Sequence, residues 1–257
     1  MLRKLLKYDF RSMWKTFSLV WAACLVIALV NRFTLPFDGR ASVEIGDNEI
    51  LSLVTTLGSF GVLFAMYVAL LIFIVQPFYR GLLGDEGYLM NTLPVHTWQL
   101  VLSKLVCAVF VSIASMVVVF LACLLLFPLN WSEVFRFGFF QTLWRGLTEH
   151  PDSLLYLFEM CVMVALGLAL CIVMVYLSMA VGQLFSHRII MSVVAFIGLD
   201  ILGSLYINLV DELRLVDMAS RLGEHAGLWT ANAMILLPTV VMFWVTSLLL
   251  KTRLNLE

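Results

Sequence analysis

Charge is what this sequence has least of. Asp, Glu, Lys and Arg make up 13% of the 257 residues, about half the share usual in soluble domains, so no separate soluble domain is expected. The sequence also lacks the GxxxxGK[ST] stretch that cradles nucleotide phosphates, so this chain is not expected to bind ATP. HExxH is missing too, and only Asp200 is a carboxylate candidate deep in an apolar run, which excludes a facing pair for aspartyl proteolysis. The four histidines, His96, His150, His187 and His225, read as loop residues, with no Ser/His pair at membrane depth. No catalytic residue is therefore assigned. Five cysteines (Cys24, Cys107, Cys123, Cys161, Cys171) fall inside apolar runs without a CxxC pair or a neighbouring His, so they read as packing residues, with neither a disulfide framework nor a metal site. A net charge of −1 gives no reason to expect nucleic acid as a partner.

What is there is apolar. Hydrophobic residues make up 62% of the chain and its mean hydropathy is +1.01. A hydrocarbon core of about 30 Å takes roughly 20 such residues per helix. The expected fold is an all-α integral membrane protein of one domain, with six spans at residues 17–33, 50–78, 105–128, 154–185, 189–210 and 230–250.

Residues 1–16 carry Leu2, Leu6, Phe10 and Met13 on one helical side and Lys4, Lys7, Arg11 and Lys15 on the other, the pattern of an amphipathic helix on an anionic lipid surface. No convincing cleavage site ends the apolar run that follows, so the segment is expected to be retained. Residues 34–49 form an acidic loop. Gly58, Gly61, Ala65 and Ala69 form a small-residue packing face on the second span. Residues 129–153 mix aromatics with Glu133, Arg136 and Arg145 and read as interfacial or re-entrant. Ser186-His187-Arg188 reads as a tight hairpin, and residues 211–229 as a charged loop.

Six spans place both termini on one side. That side holds ten basic residues (Arg3, Lys4, Lys7, Arg11, Lys15, Arg80, Lys104, Arg188, Lys251, Arg253) against six elsewhere (Arg32, Arg40, Arg136, Arg145, Arg214, Arg221). The positive-inside rule makes it the cytoplasmic side.

The longest charged interval on that side is residues 79–104. Asp85 can cap a short helix with Glu86 in its first turn, where the helix dipole favours a negative charge. Tyr88, Leu89, Met90 and Leu93 supply apolar surface, Pro94 stops the helix, and a new helix starts near His96 or Thr97. Held between two spans, such a helix transmits force to both.

Gly84-Asp85-Glu86-Gly87-Tyr88-Leu89-Met90-Asn91-Thr92-Leu93-Pro94-Val95, followed by Gln99-Leu100-Val101-Leu102-Ser103-Lys104, resembles the permease subunits of ABC-2 type transporters, in particular the small six-span Gram-positive bacterial type. A second stretch similar to that family runs from Tyr176 through Gly182 and Gln183 to Phe185. The resemblance implies a bacterial plasma-membrane protein in which the connection between the second and third spans is a coupling helix. Asp85, Glu86, Tyr88, Leu89, Met90 and Leu93 would then dock on a separate cytoplasmic ATP-binding subunit carrying the ATP and Mg. It implies further that the N-terminal amphipathic helix is an elbow helix, and that a second permease chain, identical or a sister, completes the pathway.

Two other expectations concern residues inside spans. Asp200 lies near the middle of the fifth, where a carboxylate is costly. It is either a pathway residue meeting a cationic part of a substrate, or a structural one satisfied by Ser204, Asn208 or Asn232. Glu159, about one turn into the fourth span, reads as an outer-interface residue. Thirteen Met and nineteen Phe without a charged cavity favour a hydrophobic or amphipathic cargo, a peptide or lipid-like compound. A membrane scaffold or sensor that recruits a cytoplasmic partner through residues 80–104 is the alternative to a transporter.

Overall fold

A computed structural model describes residues 2–34, 49–79, 96–126 and 151–253. Seven helices lie among them: α1 (Leu2–Thr34), α2 (Glu49–Phe78), α3 (Thr97–Leu126), α4 (Pro151–Gly182), α5 (Arg188–Glu212), α6 (Leu215–Ser220) and α7 (Glu224–Arg253). No strand occurs among the described residues. The expected acidic loop, residues 80–95 and all but the end of residues 129–153 lie outside them.

Four helical stretches are long and apolar enough to cross a membrane: Thr97–Leu125, Asp152–Gly182, Arg188–Glu212 and His225–Thr252. The chain is therefore a multi-pass membrane protein. Shorter apolar stretches, Phe17–Val30 and Tyr67–Phe78, lie within α1 and α2, at the first two expected spans.

Several boundaries differ from expectation. The amphipathic segment and the first expected span form one continuous helix, because residues 2–34 contain neither Gly nor Pro to break it. The charged loop expected at 211–229 is largely helical, with α5 continuing to Glu212, α6 following and α7 starting at Glu224. Polar residues end a hydrophobic span without ending a helix. The restart near His96 or Thr97 is found: α3 begins at Thr97, and Gln99 N donates to the His96 carbonyl at 2.9 Å.

The described chain divides into two compact units. In the unit of residues 10–73 and 110–149, α1 meets α3 through Phe10 and Phe110, edge to face at 5.1 Å, and Trp21 Nε1 donates to Ser115 Oγ at 2.9 Å. A Cβ at Gly58 or Gly61 would meet no atom of the described residues within 4 Å.

In the other unit, residues 1–9, 74–109 and 150–257, α4 packs on α5 and α7, and α6 packs on α7. The turn between α4 and α5 occupies residues 183–187, as the expected hairpin requires. Pro238 inside α7 carries no N–H, which leaves the Met234 carbonyl without its helical donor. Tyr206 of α5 supplies one, its Oη donating to that carbonyl at 2.9 Å. In a medium without water every such group needs a protein partner.

Candidate functional site

Residues 80–95 are bounded on each side by anchored residues. On the α2 side Phe78 is fully buried and its ring stacks on Tyr176 of α4, with centroids 4.0 Å apart and planes 8° from parallel. On the α3 side Leu100, Val101, Ser103 and Lys104 are all buried. Lys104 Nζ lies 2.6 Å from Asp9 Oδ1, and Ser103 Oγ donates to Asp9 Oδ2 at 3.0 Å. Both carboxylate oxygens of Asp9 are thereby engaged. The side chains of Lys104 and Asp9 are 9% and 13% exposed, so water screens the pair little. Cys107, one turn further along α3, lies against the Leu6 carbonyl with its thiol 4.0 Å away.

Helical spacing explains this cluster. Leu100, Ser103, Lys104 and Cys107 recur at three- and four-residue steps and share one face of α3, which meets Leu6 and Asp9 of α1. Asp9 is the lone acidic residue of α1, set between Lys7 and Arg11. Its position among cations on an amphipathic helix marks it as a group with a specific partner, and Lys104 is the lone cation of α3. The sequence reading placed Lys104 at the membrane boundary and passed over Asp9.

Asp85, Glu86, Tyr88, Leu89, Met90 and Leu93 lie outside the described residues. Asp200 is exposed on α5, a helix with no buried residue. None of its three expected partners satisfies it: Ser204 Oγ turns back to the Ile201 carbonyl at 2.8 Å, Asn232 reaches the Glu159 main chain, and Asn208 makes no bond to it. Asp200, Ser204 and Asn208 recur at four-residue steps, forming an exposed polar stripe on a helix long enough to cross a membrane. Lipid is a poor solvent for that stripe, so its natural environment is another protein surface or water.

Glu159, expected at the outer membrane interface, has its side chain inside the protein. It is wholly buried about two turns into α4, paired with His225, which belongs to the first turn of α7 and not to a loop. Helix α7 starts at Glu224, before the sixth span expected at 230, and so carries His225 beside Glu159.

Among the described residues no cluster of three or more His, Cys, Asp or Glu could hold a metal ion. The five cysteines are free thiols; Cys24 and Cys107 are buried, as packing residues should be, whereas Cys161 and Cys171 are exposed. Comparison with protein-family models, with curated proteins and with solved structures finds no match to this chain.

Proposed function

We propose that this chain is the permease subunit of an ATP-driven ABC-2 type exporter in a bacterial plasma membrane. It crosses the membrane six times with both termini in the cytoplasm, and residues 79–104 form the coupling segment. The observation that carries the reading is the double anchorage around residues 80–95: Phe78 stacked on Tyr176 before them, and Ser103 and Lys104 bound to Asp9 after them. A coupling helix must hand displacement to the spans, and anchors of aromatic stacking and buried ion pairing lose little of it in slack. The motif from Gly84 to Val95 supplies the docking chemistry, with Asp85, Glu86, Tyr88, Leu89, Met90 and Leu93 against an ATP-binding subunit that carries ATP and Mg. A second permease chain, facing the exposed stripe of α5, completes a pathway for a hydrophobic or amphipathic peptide or lipid-like cargo.

Co-expression with the ATP-binding subunit of the same operon tests this. Wild type is expected to co-purify with that subunit and alter its ATPase rate, and the double variant Glu86→Lys, Leu89→Asp is expected to lose both. Retention of the subunit by wild type without any change in its rate favours a recruiting scaffold instead.

Asp200 gives a separate prediction. If its carboxylate meets a cationic part of the cargo, Asp200→Asn lowers transport at least tenfold, about 1.4 kcal/mol of interaction, at unchanged expression and assembly. Transport at the wild-type rate removes Asp200 from the pathway.

A further inference from the structure

An amphipathic helix lying on a membrane buries its apolar side in lipid, but in α1 that side is turned to protein. The Leu6 carbonyl meets the Cys107 thiol of α3, and Phe10 packs edge to face on Phe110 at 5.1 Å. Asp9, the lone acid of the helix, is held by Lys104 and Ser103. What α1 leaves outward is cationic. Lys7, Arg11 and Lys15 recur at four-residue steps and are all exposed, and beside them Tyr8 is 73% and Trp14 46% exposed. At about 100° per residue, these five side chains fall within roughly 120° of the helix circumference. Among the described residues no carboxylate pairs with any of the three cations.

Their depth fits lipid headgroups. The apolar stretch of α1 begins at Phe17. With a rise of about 1.5 Å per residue, Lys15 lies about 3 Å, Arg11 about 9 Å and Lys7 about 15 Å before it along the axis, and the headgroup layer of one leaflet is about 5–8 Å thick. Lys15 and Arg11 thus stand at headgroup level, and the flexible stem of Lys7 can reach back to it. Trp14 lies at the boundary that indoles favour. It is fixed there, stacked on Phe10 with centroids 5.5 Å apart and set edge to face against Trp21 at 5.5 Å.

We infer that the outward side of α1 over residues 7–15 binds the phosphate headgroups of anionic phospholipids in the cytoplasmic leaflet, with Lys7, Arg11 and Lys15 as charge partners and Trp14 held beside them. Because Leu6 and Phe10 already meet α3, binding draws on headgroup charge and not on insertion of an apolar helix face between acyl chains. Affinity therefore follows lipid charge and falls with salt. Each Lys or Arg near an anionic surface strengthens attraction about fivefold, so three in one stripe give a factor on the order of a hundred. This requires α1 to cross the membrane with Leu2 on the cytoplasmic side, but neither transport nor an ATP-binding subunit, so its failure leaves the permease reading standing.

Titration of the purified full chain in neutral micelles with phosphatidylglycerol, read by native mass spectrometry, tests it. Wild type is expected to bind this lipid more tightly than phosphatidylcholine of the same acyl chains, and to lose the preference as salt rises. The triple variant Lys7→Gln, Arg11→Gln, Lys15→Gln is expected to bind phosphatidylglycerol on the order of a hundredfold more weakly, with an unchanged unfolding midpoint in neutral micelles. Lys7→Arg, Lys15→Arg, which keeps the charge, is expected to keep the affinity. Equal wild-type affinity for the two lipids overturns the inference whether or not any variant folds. So does phosphatidylglycerol binding that the triple variant retains, and displacement of the lipid by inorganic phosphate would assign the surface to a free anion instead.

Discussion

Replacing Asp9 with alanine is expected to destabilise the chain by about 3–5 kcal/mol, the cost of leaving one member of a buried ion pair alone. Lys104 loses its carboxylate partner at 2.6 Å and keeps a charge that is 9% exposed. Ser103 loses an acceptor but retains the Leu100 carbonyl, to which its hydroxyl also donates at 3.0 Å. Lys104→Met removes the opposite partner and leaves a carboxylate held by Ser103 alone, a loss of the same order. The double variant Asp9→Leu, Lys104→Met is different, because no charge remains to be desolvated and the two apolar side chains fill similar space. It is expected to lie within about 1 kcal/mol of wild type, since buried pairs exchanged for apolar contacts are often neutral. Thermal unfolding of Asp9→Leu, Lys104→Met and their double variant in one detergent completes a double-mutant cycle. Additive losses would show that the two side chains do not interact, and the anchor on the α3 side would then be apolar packing alone.

The same double variant separates stability from coupling. If the ion pair transmits displacement of residues 80–95 to α1, a stable Asp9→Leu, Lys104→Met chain still holds the ATP-binding subunit yet alters its ATPase rate less. An unchanged response assigns transmission to the other anchor, Phe78 on Tyr176.

How much of this was legible follows from which signals are local. Hydropathy alone locates α3, α4, α5 and α7, because a membrane span is a one-dimensional pattern that needs no knowledge of its neighbours. The hairpin expected at 186–188 and found at 183–187, and the restart at Thr97, were legible for the same reason, being set by the few residues that form them. Side-chain pairing was not. Asp9 and Lys104 lie 95 positions apart and Glu159 and His225 lie 66 apart, and each partner was read against its sequence neighbours. Asp9 was hidden among cations that outnumber it, and His225 in a segment whose polarity suggested a loop. For Asp9 the overlooked clue was a lone charge of the minority sign on its helix, which calls for a partner elsewhere.

Helix α4 offers the second large effect, with opposite signs at two glycines of one helix. At Gly182 an added Cβ collides with Ser192 Oγ and comes within 2.8 Å of both the Arg188 carbonyl oxygen and the Ser192 nitrogen. A side-chain hydroxyl can rotate away, but two backbone atoms of α5 can move only if the hairpin opens. Gly182→Ala is therefore expected to cost about 1–3 kcal/mol, the range for forcing a methyl into a packed site. Adding Ser192→Ala should recover little of it, because the backbone contacts persist. At Gly167 the Cβ meets nothing within 4 Å. Gly167→Ala thus gains helix propensity without a clash and is expected to stabilise by up to about 1 kcal/mol. Unfolding midpoints for the two variants should move in opposite directions, and a fall for both would mean that a further chain covers Gly167 in the assembled protein. The hairpin that Gly182 permits starts two turns beyond Tyr176, the buried ring on which Phe78 stacks. Gly182→Ala should therefore disturb coupling as well as stability, and a variant whose ATPase response survives an opened hairpin would show that α5 plays no part in seating that anchor.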